Sequence, residues 1–263
     1  MKNILLSCCL IVSFFADAQM KEGRVVYERT MQMPVRSFGN NPDAPQIPRT
    51  RTDQYELLFI SNQSLWQFLP NATDENPGEF SGGGMVMRFG GTNDITYHNF
   101  EKAQRVDQRE IMDKSFVVTD SIRKLAWKLT DETKTILTYA ARKATAQNVR
   151  MRMNMSMENG VMKREQVPDT VQVVAWFTTD IPVPAGPEFG GQLPGLILEL
   201  SSGNGQMVYK VLEVSPKVSV NKIKEPKDGK KLTAAEFVKE RDKLMDEMRR
   251  NMPGGDNIRI IQQ

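Results

Sequence analysis

The residues best suited to chemistry in this 263-residue chain are methionines. Val149-Arg150-Met151-Arg152-Met153-Asn154-Met155-Ser156-Met157 alternates strictly between apolar and polar positions. In a strand, side chains two apart share a face, so Met151, Met153, Met155 and Met157 would line one side at intervals of about 7 Å. Thioethers are soft ligands, and two or three at that spacing would converge on a Cu(I) or Ag(I) ion. Two other readings stand beside copper. One is an apolar face packed on a sheet, since methionine fills irregular gaps; the other is an adaptable surface for a partner or a lipid. Met31/Met33 and Met85/Met87 repeat the Met-x-Met spacing.

Other reactive groups are scarce. The chain opens MKNILLSCCLIVSFFADAQ, in which a lysine precedes an apolar run from Ile4 to Phe15 and small residues follow at Ala16-Asp17-Ala18. This is the pattern of a secretory signal, with cleavage expected between Ala18 and Gln19, and the run is too short for a membrane span. Leu5-Leu6-Ser7-Cys8 offers an alternative lipoprotein box with a very short apolar lead. Both cysteines, Cys8 and Cys9, fall inside the leader, so the mature chain would hold no thiol, disulfide or cysteine ligand. The one histidine, His98, sits in Tyr97-His98-Asn99 and is read as a solvated strand-end or turn residue. There is no Gly-x-Ser-x-Gly elbow, no phosphate loop and no dinucleotide fingerprint. Asp131/Glu132 and Asp242/Asp246 read as turn and helix-surface carboxylates. These absences point away from an enzyme and, copper apart, from a cofactor. With 35 basic and 32 acidic residues the net charge is +3, well mixed, which gives no reason to expect a nucleic-acid partner.

The elements that must position these residues are mostly strands. Gly23–Glu28, Gln54–Ile60, Gly84–Phe89, Ile95–Phe100, Ser115–Thr119, Thr135–Arg142 and Val171–Thr178 are short runs bounded by Gly, Pro, Asn and Asp. Pro34–Pro48 and Asn71–Gly83 read as loops. Asn204-Gly205 is the preferred centre of a type I′ turn; it predicts a hairpin with Glu199 opposite Lys210, Leu200 opposite Tyr209 and Leu198 opposite Val211. Asn159-Gly160 predicts a second hairpin, with Met162 opposite Met157. Thr233 and Glu236 form a capping box, Leu232 and Phe237 a hydrophobic staple, and Val238, Arg241, Leu244, Met245, Met248 and Met252 follow at helical spacing. A helix over 233–252 is expected, with Pro253-Gly254 opening a tail over 253–263. Ile181-Pro182-Val183-Pro184-Ala185-Gly186-Pro187 cannot be a central strand, because its prolines lack ladder donors. It reads as a stiff lead into the hairpin, either scaffold or ligand site.

Trp127-Lys128-Leu129, Ile136, Tyr139, Lys143-Ala144-Thr145, Ala175-Trp176-Phe177-Thr178, Ile181-Pro182, Gly186-Pro187 and Leu193-Pro194-Gly195-Leu196-Ile197 resemble, in order, the GLPGLI family, exported proteins of Bacteroidota. Two departures are visible. Gln192 replaces the first glycine of the motif, and Ala141 stands where many members carry a cysteine. The resemblance brings no established activity with it.

The fold expected is mainly antiparallel β (α+β), a curved sheet or open half-barrel with one C-terminal amphipathic helix. One β-rich domain should run over 19–252, with the methionine hairpin inserted at about 148–168. The function expected is a non-catalytic cell-envelope protein, periplasmic, outer-membrane-associated or secreted, that binds an apolar ligand or an envelope partner. Trp176, Phe177, Pro187, Phe189, Leu193 and Pro194 are the candidate contacts. The alternative is a periplasmic Cu(I)/Ag(I) binder using the four strand methionines.

Overall fold

Period-two patterning governs the structure. The computed structural model describes residues 19–32, 50–70, 79–82, 85–88, 92–111, 113–158 and 161–251; the expected leader up to Ala18, the loop at 34–48 and the tail from 253 lie outside these. The strands are β1 (Gly23–Gln32), β2 (Thr50–Ile60), β3 (Gln63–Leu69), β4 (Glu79–Gly82), β5 (Met85–Arg88), β6 (Ile95–Asn99) and β7 (Gln104–Ile111). There follow β8 (Lys114–Ser121), β9 (Lys128–Ile136), β10 (Tyr139–Glu158), β11 (Val161–Thr178), β12 (Leu196–Ser202), β13 (Met207–Ser215) and β14 (Lys230–Thr233), then the helix α1 (Ala234–Asn251).

Twelve of these strands form one sheet in the order β14-β8-β7-β6-β3-β2-β1-β13-β12-β11-β10-β9, and β4–β5 form a separate pair. The pairings are antiparallel except β14 on β8. The end strands β14 and β9 do not meet, so the sheet is open rather than a closed barrel. β1 lies at the junction of the two halves, between β2 and β13.

The predicted Asn-Gly hairpin is present. Glu199 pairs with Lys210 and Leu200 with Tyr209. Asn204 and Gly205 have φ of 54° and 86°, the double positive φ that a type I′ turn demands, and the Gln206 N–H donates to the Gly203 carbonyl at 3.2 Å. The ladder stops at Glu199–Lys210, one short of the expected Leu198–Val211 pair. The Glu199 carboxylate accepts from Lys134 Nζ, at 2.8 Å, after that lysine has crossed the Trp176 ring.

One other expectation changes. Thr135–Arg142 is not one strand: the chain reverses at Leu137 (φ 53°) and pairs Ile136 with Tyr139. Leu137 holds this left-handed conformation at a cost of roughly 1–2 kcal/mol, and no glycine or asparagine announces the turn. The methionine segment is continuous with the strands of the sheet. β10 and β11 pair without a break from Arg142–Phe177 to Glu158–Val161, with Met157 opposite Met162 as the Asn-Gly spacing predicts. Beyond Thr145 on β10 and Val173 on β11 the described partners end, so the two strands continue as a two-stranded arm. Pro168 is tolerated there because its missing donor falls on an edge.

Alternation places two cores on opposite faces of the sheet. Val25, Tyr27, Leu57, Phe59 and Leu198 face one side and are covered by Ile181, Val183 and Ala185. Leu58, Leu65, Tyr97, Val106 and Val117 face the other, under Ile223 and Val218. The 181–195 segment is therefore a cover, bonded back onto β12 through Leu196 N–H to Ile181 O (3.1 Å) and Ile197 N–H to Ala185 O (2.9 Å). Its glycines are sterically required. A Cβ on Gly195 would run into the Thr178 carbonyl oxygen, and one on Gly186 (φ 155°) would lie 2.5 Å from Ile197 Cβ. Gln192 uses the space of the missing motif glycine: its Oε1 accepts from the Leu125 N–H at 2.9 Å and the Trp127 Nε1–H at 3.0 Å.

The capping box closes as expected, with the Thr233 N–H donating to Glu236 Oε2 at 2.8 Å and the Glu236 N–H to Thr233 Oγ1 at 3.3 Å. Leu232, Phe237 and Leu244 pack on Phe116 and Val118. The helix thus rides on the β8/β14 end of the sheet rather than across it, leaving Val238 and Met245 exposed. No described helix is long and apolar enough to cross a membrane.

Candidate binding site

The sheet face that carries Phe59 and Leu57 turns polar one step further along β2, at Tyr55, Asp53 and Arg51. Cross-strand register extends this polar end over several strands. Arg29 stands opposite Asp53 and Tyr209, Trp66 opposite Thr96, Thr96 opposite Asp107, and His98 between Ser64 and Arg105. Of these, Arg29, Tyr209, Trp66, Thr96, His98 and Arg105, together with Tyr55, Asp94 and Arg109 and under Gly186 and Glu188 of the cover, enclose a pocket of about 170 Å³. At about 30 Å³ per water, that is room for a small polar group rather than a large ligand.

The charges are laced together. Arg29 Nη2 lies 2.6 Å from Asp53 Oδ2, and Arg51 bonds the other oxygen at 2.8 Å. Asp107 receives Arg105 at 2.8 Å, Arg109 at 2.9 Å and the Thr96 hydroxyl at 2.6 Å. Burial alone would raise the Asp107 pKa, but the charges of Arg105 and Arg109 and these hydrogen bonds hold it below the usual carboxylate range. Arg109 also reaches Asp94 at 3.0 Å. Aromatic rings wall the pocket: Tyr55 stacks on Trp66 at 5.1 Å, Tyr209 meets Trp66 edge-on at 5.7 Å, and the Arg29 guanidinium lies 4.7 Å over Tyr55. One polar atom has no partner. Arg29 Nε is buried and donates to nothing among the described residues.

His98 is buried, 4% exposed, on strand β6, not a solvated turn residue. Its Nδ1 lies 3.5 Å from Ser64 Oγ, its ring stacks with Phe100 at 6.0 Å, and Gly190 of the cover presses against it. Burial first, then the Arg105 charge, pushes its pKa down to about 4, so the ring is neutral at neutral pH. Ser64 is fully buried, and the Ser64–His98 pair presents no accessible nucleophile. Among the described residues, no three His, Cys, Asp or Glu side chains are grouped to hold a metal.

A second groove of about 370 Å³ adjoins the first and shares His98, Arg105 and Glu188 with it. It runs between Phe189 of the cover and Phe237 and Val238 of α1, over Asp120 and Ile122. An open polar trough of about 980 Å³ lies at the root of the arm, between Lys128, Arg150 and Asn204.

Of the contacts expected from sequence, only Phe189 lines one of these spaces, and its ring is also edge-on to Trp127 at 5.7 Å. Trp176 is half-buried against the cluster that holds Tyr27, Leu198 and Ile181, with Lys134 Nζ 4.3 Å from its ring centroid, and lines neither the pocket nor the groove. Phe177 and Leu193 are packed into the core with Ala144, Val173 and Leu200. Pro187 is buried and Pro194 exposed, and neither lines the pocket. Met151 is 60% exposed on the arm, against the expectation of a face packed on the sheet; the side chains of Met153, Met155 and Met157 lie outside the described ones. Arg29, Tyr55, Trp66, Arg105, Arg109 and Tyr209 were not singled out from sequence. Arg105-Val106-Asp107-Gln108-Arg109 was the available signal, a strand whose alternate charged positions flank a fully buried valine.

A family match falls on the segment of the chain that supplies the cover. Residues 127–199 match Porph_ging, a family described as a protein of unknown function. Among curated proteins, none matches the chain. The solved structures of PNGF-II in two crystal forms are similar over 83% of this chain, with TM-scores of 0.51 and 0.50 at 15% and 16% identity. The similar region spans 32% of the PNGF-II chain, about a third of its length. The likeness is one of fold. Porph_ging residues thus include β9 to most of β12 and the 181–195 cover, whereas the arginines of the pocket come from β1 and β7.

Proposed function

We propose that the chain is an exported, non-catalytic cell-envelope protein that binds a small carboxylate-bearing ligand, or an acidic group of an envelope partner, in the arginine pocket beneath the 181–195 cover. The export reading rests on the leader motif at the N-terminus and on the ordered GLPGLI-type motifs, which we take to denote the same group as Porph_ging. The observation that carries the binding reading is a pocket lined by three arginines, Arg29, Arg105 and Arg109, of which Arg29 has an Nε left unpartnered among the described residues. A buried donor left unsatisfied costs about 1–3 kcal/mol, and guanidinium groups match carboxylates in geometry. A polar ligand is preferred to an apolar one because the apolar side chains under the cover, Tyr27, Leu57, Phe59 and Leu198, already fill their space. The open volume is lined instead by charge.

Calorimetric titration of the mature chain with acetate and succinate tests this, with acetamide as the neutral control. Wild type should bind the acids, and R109Q should bind them roughly tenfold or more weakly, as expected for a lost charge-assisted hydrogen bond. Equal binding of acid and amide, or none of either, would reject the reading.

A second reading is favoured by one observation, the exposure of Met151 on an unbroken strand. It is the binding of Cu(I) or Ag(I) by Met151, Met153, Met155 and Met157, whose spacing of two puts them on one face.

A further inference from the structure

We infer that Glu188 is an internal competitor for the arginine pocket: its carboxylate holds the place at Tyr209 that a ligand carboxylate takes, and ligand entry displaces it. The inference rests on the binding function proposed above and names the residue that sets its affinity and selectivity. Glu188 borders both the 170 Å³ pocket and the 370 Å³ groove, so its side chain stands on the wall between them. The Tyr209 hydroxyl donates to Glu188 Oε1 at 2.6 Å. Tyr209 is 1% exposed, and a buried hydroxyl needs an acceptor; Glu188 can leave only if another acceptor replaces it. A carboxylate on the ligand is such a replacement.

The backbone points the same way. Glu188 has φ 58°, a left-handed conformation that a residue with a side chain adopts at a cost, and it does so although it is exposed to solvent. Pro187 before it and the Gly190-Gly191 pair after it hold the loop in a tight turn, with the Phe189 N–H donating to the Pro187 carbonyl at 2.6 Å. Holding an acidic residue in that conformation places a negative charge near Arg105, where it repels an incoming anion. Movement of the Glu188 side chain would remove the charge and join the two spaces. The ligand class that follows is a carboxylate with an extension. The acid would sit among Arg29, Arg105 and Arg109, and the remainder would lie in the groove between Phe189 and Phe237.

The test is titration of the mature chain, E188Q and E188G with succinate, with succinamide as the neutral control. E188Q keeps an acceptor for Tyr209 and removes the charge; E188G removes both and relieves the left-handed backbone. Both variants should bind succinate roughly tenfold more tightly than wild type, with succinamide binding unchanged. In the absence of ligand E188G should unfold below E188Q, because it leaves the Tyr209 hydroxyl without its acceptor, and saturating succinate should restore the difference; a loss of stability that succinate does not restore would mark Glu188 as a structural prop. If wild type binds succinate and the two variants bind it equally or more weakly, Glu188 is no competitor and the pocket reading survives. If none of the three binds, the pocket reading fails and this inference with it.

Discussion

Replacing His98 by glutamine tests the packing of the cover on the sheet through a pH dependence that the structure specifies. In the folded chain the imidazole is 4% exposed, stacked on Phe100, pressed by Gly190 and within reach of Ser64, with Arg105 and Asp107 as its charged neighbours. Burial and Arg105 lower its pKa from 6.5 to about 4. The unfolded chain, where the ring is solvated, takes up a proton near 6.5, so between those values the unfolded state binds more protons than the folded one. Stability from this group is complete above about pH 6.5, falls as the pH drops, and is gone below about pH 4. The full displacement is worth about 3 kcal/mol, and about 2 kcal/mol of it should be lost by about pH 5. Asp107, with a pKa held below the ordinary carboxylate value, loses its contribution in a more acidic window and does not obscure the effect. Urea unfolding of wild type and H98Q at about pH 7 and about pH 5 gives the measurement as a difference of differences. Wild type should lose about 2 kcal/mol more than H98Q between the two conditions. A gap between the two proteins that does not change with pH would mean that His98 is as solvated in the folded chain as in the unfolded one, and that Gly190 does not seal it.

Other outcomes follow from single contacts. Q192L should destabilise the chain by about 1–3 kcal/mol in thermal or urea unfolding, since the Leu125 N–H and the Trp127 indole N–H lose their shared acceptor. G195A should fail to give a folded protein, or unfold far below wild type by circular dichroism, because its Cβ meets the Thr178 backbone. Replacing Met151, Met153, Met155 and Met157 together by leucine should abolish Cu(I) binding in a competition titration if the arm holds metal; an unchanged affinity rejects that reading.

Local chemistry made some elements legible in the sequence. Asn204-Gly205 specified a turn and therefore a register, and Thr233 with Glu236 specified a helix start, because each involves residues only a few positions apart. Leu137 was illegible for the converse reason: its turn is imposed by the pairing of β9 with β10, with no turn residue to mark it. An aromatic motif beside a proline-rich loop suggests a shared site, but strand alternation sends Trp176 and Phe177 to different surroundings and the bulge between them adjusts the register. The pocket was out of reach for a deeper reason. Arg29, Tyr55, Trp66, His98, Arg105 and Tyr209 come from six strands, and nothing local brings them together. Only the sheet order, with β1 joining the two halves, puts Tyr209 beside Arg29.

The central claim is that the 181–195 cover encloses arginines with hydrogen-bonding capacity left for an acid. The most direct measurement is the ¹⁵N spectrum of the Arg29 Nε–H group, assigned by its loss in R29K, recorded as succinate is added to the chain from Gln19 onward. The account predicts a resonance that shifts saturably with succinate and stays in place with succinamide. A resonance indifferent to both, in a protein whose other signals show it folded, would contradict it.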